Sequence, residues 1–432
     1  MKLTPEWRVH VLGVILCVAL TICSRNFGDR GGPQFMASLA LACVAYLLAI
    51  REFFATPGLS RHVVVTGLVF AAIWHAEFLR RPPGADDDIH RYVWDGRLQR
   101  LGYNPYLVIP GDPAAKQLHT PETRNLNNPE LPSPYPPGAQ LFFRAITAIH
   151  ESTFAFKAAF VICEWMIVFL LLDLLRLNRR GPHLVLAYAW NPLLAIEVAG
   201  SGHVDILGAL LLVVSVAALM RKWRAIAAVT LGLAIAVKFL PIVLLPLYWK
   251  KVRLRDAALA AGVVGLLYLP FLDHGRIPMG SLGTYVRSFR FNGPIFAAMV
   301  HIAPPQFLVG FAVLAGLMTA IWIRYAATEW SLDQFAAPMA ASLICAPVVF
   351  PWYLLWLLPF LTSASTLLVI IWTVSIIPTY VMWHLRALGH PWGALPVWVV
   401  ELEYGCVSLA GAILLLRRHM RPSSRPYSAE IV

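Results

Sequence analysis

An all-α polytopic membrane bundle is the fold class that this sequence predicts, and three observations carry the prediction. Of the 432 residues, 59% are hydrophobic and only 13% charged, whereas about a quarter of a soluble domain is charged. Runs of ~18 or more apolar residues follow one another to the last helix. Between these runs stand short basic clusters and no soluble domain. A mean hydropathy of +0.66 agrees. The net charge of +12 then reads as membrane orientation, and nucleic acid is excluded as a partner for want of a soluble surface. The chain is read as one integral membrane domain, 1–432, with about 12–13 transmembrane helices.

The first run, Val9 to Ser24, resembles a signal peptide, but another span begins near Gln34 and no small-residue cleavage site precedes a soluble domain. It is therefore read as a retained helix. Further spans are expected at 34–50, 62–79, 154–175, 183–199 and 204–220. This count places Lys2/Arg8, Arg51/Arg61, Arg176/Arg179/Arg180 and Arg221/Lys222/Arg224 on one side, which the positive-inside rule makes cytoplasmic. The segment 80–153 then lies outside the cytoplasm. The next run, 225–249, has basic clusters at both ends and is interrupted by Lys238 and Pro241. It is either a re-entrant hairpin of two half-helices, each ~18 Å long, or a single span with one misoriented basic end. Under the hairpin reading, spans follow at 257–272, 306–323, 334–350, 352–362, 366–384 and 394–416, the segment 273–293 is external, and the tail 417–432 is cytoplasmic. A single crossing would require 352–362 not to cross and would exchange the later sides. The six cysteines lie within or at the ends of apolar runs without metal spacing, so they read as packing residues.

The 80–153 segment is too long for a simple connection. It begins with 84-GADDDIHRYVWDGR-97. Ile89, Tyr92, Val93 and Leu98 recur at helical spacing, predicting an amphipathic interfacial helix with Arg91, Asp95 and Arg97 facing water and Gly102 ending it. Farther on, 132-PSPYPPGAQLFF-143 predicts an extended, rigid turn carrying Tyr135, then a helix starting after Pro137. That turn either frames a cleft or sets the entry angle of the next span. One of the three aspartates suffices to cap the following helix. Three adjacent carboxylates repel, and the excess points to a general base or a cation site. Arg91 and Arg97 are candidate partners for the acids or for a phosphate, or solvated helical residues.

The run DDDIHRYVWDGRLQRLGYNPY and the later YPPGAQLFF resemble the first large periplasmic loop of the GT-C membrane glycosyltransferases. They are especially similar to bacterial polyprenyl-phosphate-mannose-dependent mannosyltransferases. The segments 190-WNPLLAIEVAGSGHVD-205, 237-VKFLPIVLLP-246 and 351-PWYLLWLLPF-360 extend the resemblance over most of the chain. It implies a GT-C-like bundle in the bacterial inner membrane with an extracytoplasmic site. The implied reaction is an inverting transfer of a hexose, mannose first, from a polyprenyl-phosphate donor to a glycan, lipid or protein acceptor. A loop aspartate would deprotonate the acceptor hydroxyl. Aligned on the family pattern, Asp87 leads as that base, with Asp88 beside it and Asp86 the expected bystander. Asp86 and Asp88 also satisfy an Asp-x-Asp pattern that could hold Mg or Mn. His90 stands where the pattern has tyrosine, and the loop follows the third apolar run instead of the first, implying two added N-terminal helices.

Because the leaving phosphate is already ionised, the reaction needs cations to stabilise it. Lys238 is the foremost candidate, since an intramembrane lysine is costly and functional by default. Arg91 is another, and Arg287 and Arg290 are weaker ones. His203 and Asp205 at the mouth between two spans are expected to bind sugar hydroxyls, with capping as the alternative for Asp205. Glu197 is expected to pair with His203 or a cation, functionally or structurally. Tyr135, Trp352 and Tyr353 offer ring faces to a pyranose, although an interfacial belt would also place the last two. Trp383 and His384 carry less weight. The competing function is a transporter or lipid flippase, disfavoured because no internal repeat is apparent and the acids lie outside the midplane.

Overall fold

The computed structural model describes residues 4–84, 87–124, 126–327, 331–393 and 395–419; Asp86 and most of the 417–432 tail lie outside these. The first three helices are α1 (Pro5–Arg25), α2 (Pro33–Ala55) and α3 (Arg61–Leu79). Thr4 caps α1 by accepting the Trp7 N–H at 3.3 Å, and proline at the first position of α1 and of α2 suits a site with no intrahelical donor duty. The three pack around Trp190, whose indole donates to the Gly67 carbonyl at 2.8 Å and meets Phe53, Phe70 and Trp74 edge-on. In lipid, packing and such internal hydrogen bonds take over from the hydrophobic effect.

The expected long segment follows as α4 (Ile89–Arg100), an irregular stretch, α5 (Pro137–Ile149) and then α6 (Thr153–Leu177). The helix start after Pro137 is as predicted. The water-facing side of α4 is not: Arg91 and Asp95 are buried, because α5 and the 105–135 stretch roof the helix. Arg91 donates to the carbonyls of Leu131, Asn127 and Asn128 at 2.7–3.0 Å. Asp95 accepts from Ser133 and Gln140. Arg97 reaches the Leu118 carbonyl and Glu151.

After α7 (Val185–Ala189) the chain forms a π-helical segment, Leu194–Gly200, which bends by 112° into α8 (Asp205–Met220). Next come α9 (Arg224–Val237), the short α10 (Leu245–Tyr248), α11 (Leu254–Tyr268), α12 (Leu282–Ser288), α13 (Pro294–Met299) and α14 (Pro305–Ala326). The chain closes with α15 (Ala336–Ile344), α16 (Leu367–Ser375), α17 (Val381–Ala387) and α18 (Val397–His419). Among the described residues eight helices are long and apolar enough to cross a membrane, or nine with the bent pair. That is fewer than the 12–13 expected from apolar runs. The difference falls on 183–199, 225–249, 334–350 and 352–362, where prolines 192, 241, 246, 338, 347, 351 and 359 divide the runs into short α and 3-10 pieces. Backbone irregularity of this kind inside a membrane protein requires burial in protein or a cavity to line.

Burial pushes the Asp95 carboxyl up to about 6, against its hydrogen bonds and Arg91. The folded state therefore binds this proton more tightly than the unfolded chain, and stability from this group falls as pH rises from about 4 through 6. Asp95→Asn is expected to gain relative to the wild type at pH 8, by at most about 3 kcal/mol. The gain should vanish toward pH 4, read as the difference in thermal midpoints of the two proteins across that range.

Candidate active site

The breaks in the helices converge on one cavity of about 370 Å³. Its acidic side comes from the start of α4. Asp87 is buried, with Oδ2 accepting the Gly84 N–H at 2.6 Å and Oδ1 accepting Arg30 Nη2 at 2.7 Å. Arg30 also donates to Ser201 at 2.7 Å and is sandwiched by Phe27 and Trp383. Asp88 occupies the N-cap position of α4 but makes no side-chain cap. Its carboxylate instead accepts from Asn127 at 2.7 Å and from the Tyr135 hydroxyl at 2.9 Å. Burial, with Asp88 beside it, pushes the Tyr135 phenol far above its ordinary range, so the hydroxyl stays a donor.

The basic side comes from the break after α9. Lys238 adopts an extended backbone (φ −160°, ψ 141°) that ends the helix. Its Nζ lies 2.7 and 2.9 Å from the two Asp205 oxygens, and 4.0 Å from the Tyr353 ring centre. Asp205 is essentially enclosed while Lys238 is 24% exposed, so the pair presents its cation to the cavity. Trp356 Nε1 completes the Asp205 shell at 2.8 Å. The capping alternative for Asp205 thus gives way to an ion pair. Gly208, one turn along α8, makes this possible: a Cβ there would stand 1.9 Å from the Trp356 ring.

Gly202 (φ +75°) carries the chain through the turn between the π segment and α8. Beyond it, His203 stacks on Trp352 with ring centres 4.1 Å apart and 7° between planes. Its Nδ1 lies 2.8 Å from Glu197 Oε2, and the other Glu197 oxygen accepts from Tyr380. Glu197 is thereby paired as expected, behind the ring.

Asp87, Asp88, Tyr135, His203, Asp205, Lys238, Trp352 and Tyr353, separated by up to 266 positions in sequence (353 − 87), all border this cavity. Arg91 does not: its guanidinium is spent on the 127–131 carbonyls described above, so it shapes the wall and is not placed to touch a ligand. Arg287 and Arg290 stand outside the lining too, and Arg290 donates to the Phe289 and Arg287 carbonyls. Trp383 borders the cavity, whereas His384 pairs with Asp29 at 2.9 Å. Asp86 lies outside the described residues. Arg30, Asn127, Tyr285 and Trp356 were missed. Arg30 had a signal, being an arginine in the short connection between the first two apolar runs. The Mg or Mn reading depends in part on Asp86, which lies outside the described residues; among the described residues no cluster of three or more His, Cys, Asp or Glu that could hold a metal occurs. No step below runs through a metal.

Residues 27–252, more than half of the chain, match the family model of the alpha-(1→6)-mannopyranosyltransferase N-terminal domain. The chain belongs to this family. It is a membrane glycosyltransferase, which decides against the transporter reading. The matched region holds Arg30, the aspartates, His203, Asp205 and Lys238; the aromatic wall at 352–356 lies beyond it. No curated protein matches the chain. Among solved structures, the crystal structure of ArnT from Cupriavidus metallidurans bound to undecaprenyl phosphate is similar at 15% identity and a TM-score of 0.46, covering 83% of this chain and 73% of that one.

Gly208→Ala should push Trp356 off Asp205 and lower the thermal midpoint, with a cost of about 1–3 kcal/mol. Adding Trp356→Phe, which removes the clashing ring, should recover part of that loss in a double-mutant cycle.

Proposed function

We propose that this mannosyltransferase-family enzyme takes mannose from a polyprenyl-phosphate carrier and transfers it, with inversion, to an acceptor hydroxyl on the extracytoplasmic face. The observation that carries the reading is one cavity holding a carboxylate on one side and a cation-presenting ion pair on the other. Asp88 is favoured over Asp87 as the general base. Its hydrogen-bond partners, Asn127 and Tyr135, are neutral and hold it at the cavity wall, whereas Asp87 is already paired with the Arg30 cation. Asp88 accepts the acceptor proton as the oxygen attacks the anomeric carbon, and the bond to the carrier phosphate breaks on the opposite face of the sugar. Lys238 lies where it can stabilise the departing phosphate. The stacked His203–Trp352 surface and Tyr353 suit the apolar face of a pyranose. Phe239, Leu240, Val309 and Leu343 supply an apolar wall fitting the first isoprene units of the carrier.

Membranes containing the protein should move labelled mannose from polyprenyl-phosphate-mannose to an endogenous acceptor, in preference to other sugars on the same carrier. Asp88→Asn should reduce transfer by about 10²–10⁴-fold at unchanged thermal midpoint. Asp87→Asn should also lose activity, but with destabilisation of about 3–5 kcal/mol from the stranded Arg30. Full transfer by Asp88→Asn would remove it as the base. Lys238→Met should impair transfer more than donor binding; equal loss of both would assign it to uniform substrate binding.

A further inference from the structure

At the opposite end of α9 from Lys238, a helix of 14 residues or about 21 Å, two loops distant in sequence build a second site. The α8–α9 junction brings Lys222 and, at the start of α9, Arg224; the α10–α11 junction brings Lys250, Lys251, Arg253 and, in the first turn of α11, Arg255. They line two adjoining cavities of about 310 and 460 Å³ that share Lys222 and Arg224. Among the described residues Asp256 is the single acid in either lining. It is buried, accepts the Arg253 N–H at 3.3 Å and lies 3.8 Å from Arg255. Six cations thus meet one carboxylate that is already engaged. Burial, with Arg324 close by, pushes the Lys251 ammonium down to about 8.

Lys222 (φ 62°) and Lys250 (φ 63°), like Arg179 (φ 52°), hold the left-handed backbone that helix ends ordinarily assign to glycine or asparagine. A further observation points to a ligand. Around the cleft, Trp223, Trp249 and Leu254 are exposed by 57%, 66% and 87%, while Leu177, Leu219 and Met220 line its apolar edge. Indoles beside cations are the pattern of a membrane interface.

We propose that this cleft binds the phosphate headgroup of an anionic membrane phospholipid, with its acyl chains against the Leu177–Leu219 edge and the two tryptophans. Basic pockets between membrane helices take such headgroups. The site is separate from the catalytic cavity, and its test does not depend on the sugar or the carrier.

Native mass spectrometry of the full-length protein in detergent, titrated with phosphatidylglycerol or phosphatidylcholine, provides the test. Wild type should retain phosphatidylglycerol about tenfold or more tightly than phosphatidylcholine. Lys222→Gly/Lys250→Gly should lose that tenfold preference, about 1.4 kcal/mol when converted. Its lipid-free thermal midpoint should be equal or higher, because glycine suits the left-handed turns. Arg224→Gln/Arg253→Gln, which leaves those turns intact, should lose the preference as well. Undiminished phosphatidylglycerol binding in both variants would overturn the proposal. So would an equal loss in Arg176→Gln/Arg179→Gln, which would mark general attraction to a basic face. Competition by glycerol 1-phosphate as effective as that by the lipid would assign the cleft to a soluble anion and also overturn it.

Discussion

The ion pair between Asp205 and Lys238 is the constraint on which the rest of the site depends. Each member sits where a helix is interrupted, one after the π-helical bend and one at the end of α9. Interrupted backbone and free charge are both costly in a membrane interior. Joining them relieves both costs at a single place and leaves the cation as the exposed member. Breaking such a pair strands a buried charge and is far more damaging than never having had it. The two breaks therefore hold each other in register, and the cavity between them follows.

The acidic side is secured by a parallel arrangement. Arg30, contributed by the loop between α1 and α2, ties Asp87 to Ser201 at the end of the π segment. The N-terminal helices are thus part of the site's frame. On the far side of α4, Arg91 gathers three carbonyls of the 127–131 stretch, and that stretch in turn brings Asn127 to Asp88. An arginine outside the cavity lining consequently determines the orientation of the Asp88 carboxylate within it. The Tyr92 ring, stacked on Phe143 at 4.5 Å, joins α4 to α5 beneath it.

The cavity draws on both halves of the chain. Asp87, Asp88, Tyr135, His203, Asp205 and Lys238 come from the family-matched region, whereas Tyr285, Trp352, Tyr353, Trp356 and Arg386 come from beyond it. His203 bridges them, its ring on Trp352 and its Nδ1 against Glu197.

Composition and apolar periodicity by themselves determined that this is an α-helical membrane protein, because hydrocarbon burial over ~20 residues leaves a local signature. They also marked the acidic loop and Lys238, since charge inside or beside an apolar run is conspicuous whatever it contacts. The helix count, the buried faces of Arg91 and Asp95, and the pairing of Asp87 with Arg30 were decided only by tertiary structure. An apolar run does not say where proline will divide it, and helical spacing does not say which face a distant segment will cover. Arg30 and Trp356 are separated by 57 and 151 positions from the acids they hold. No local pattern encodes such a partnership; it exists only once the helices have packed.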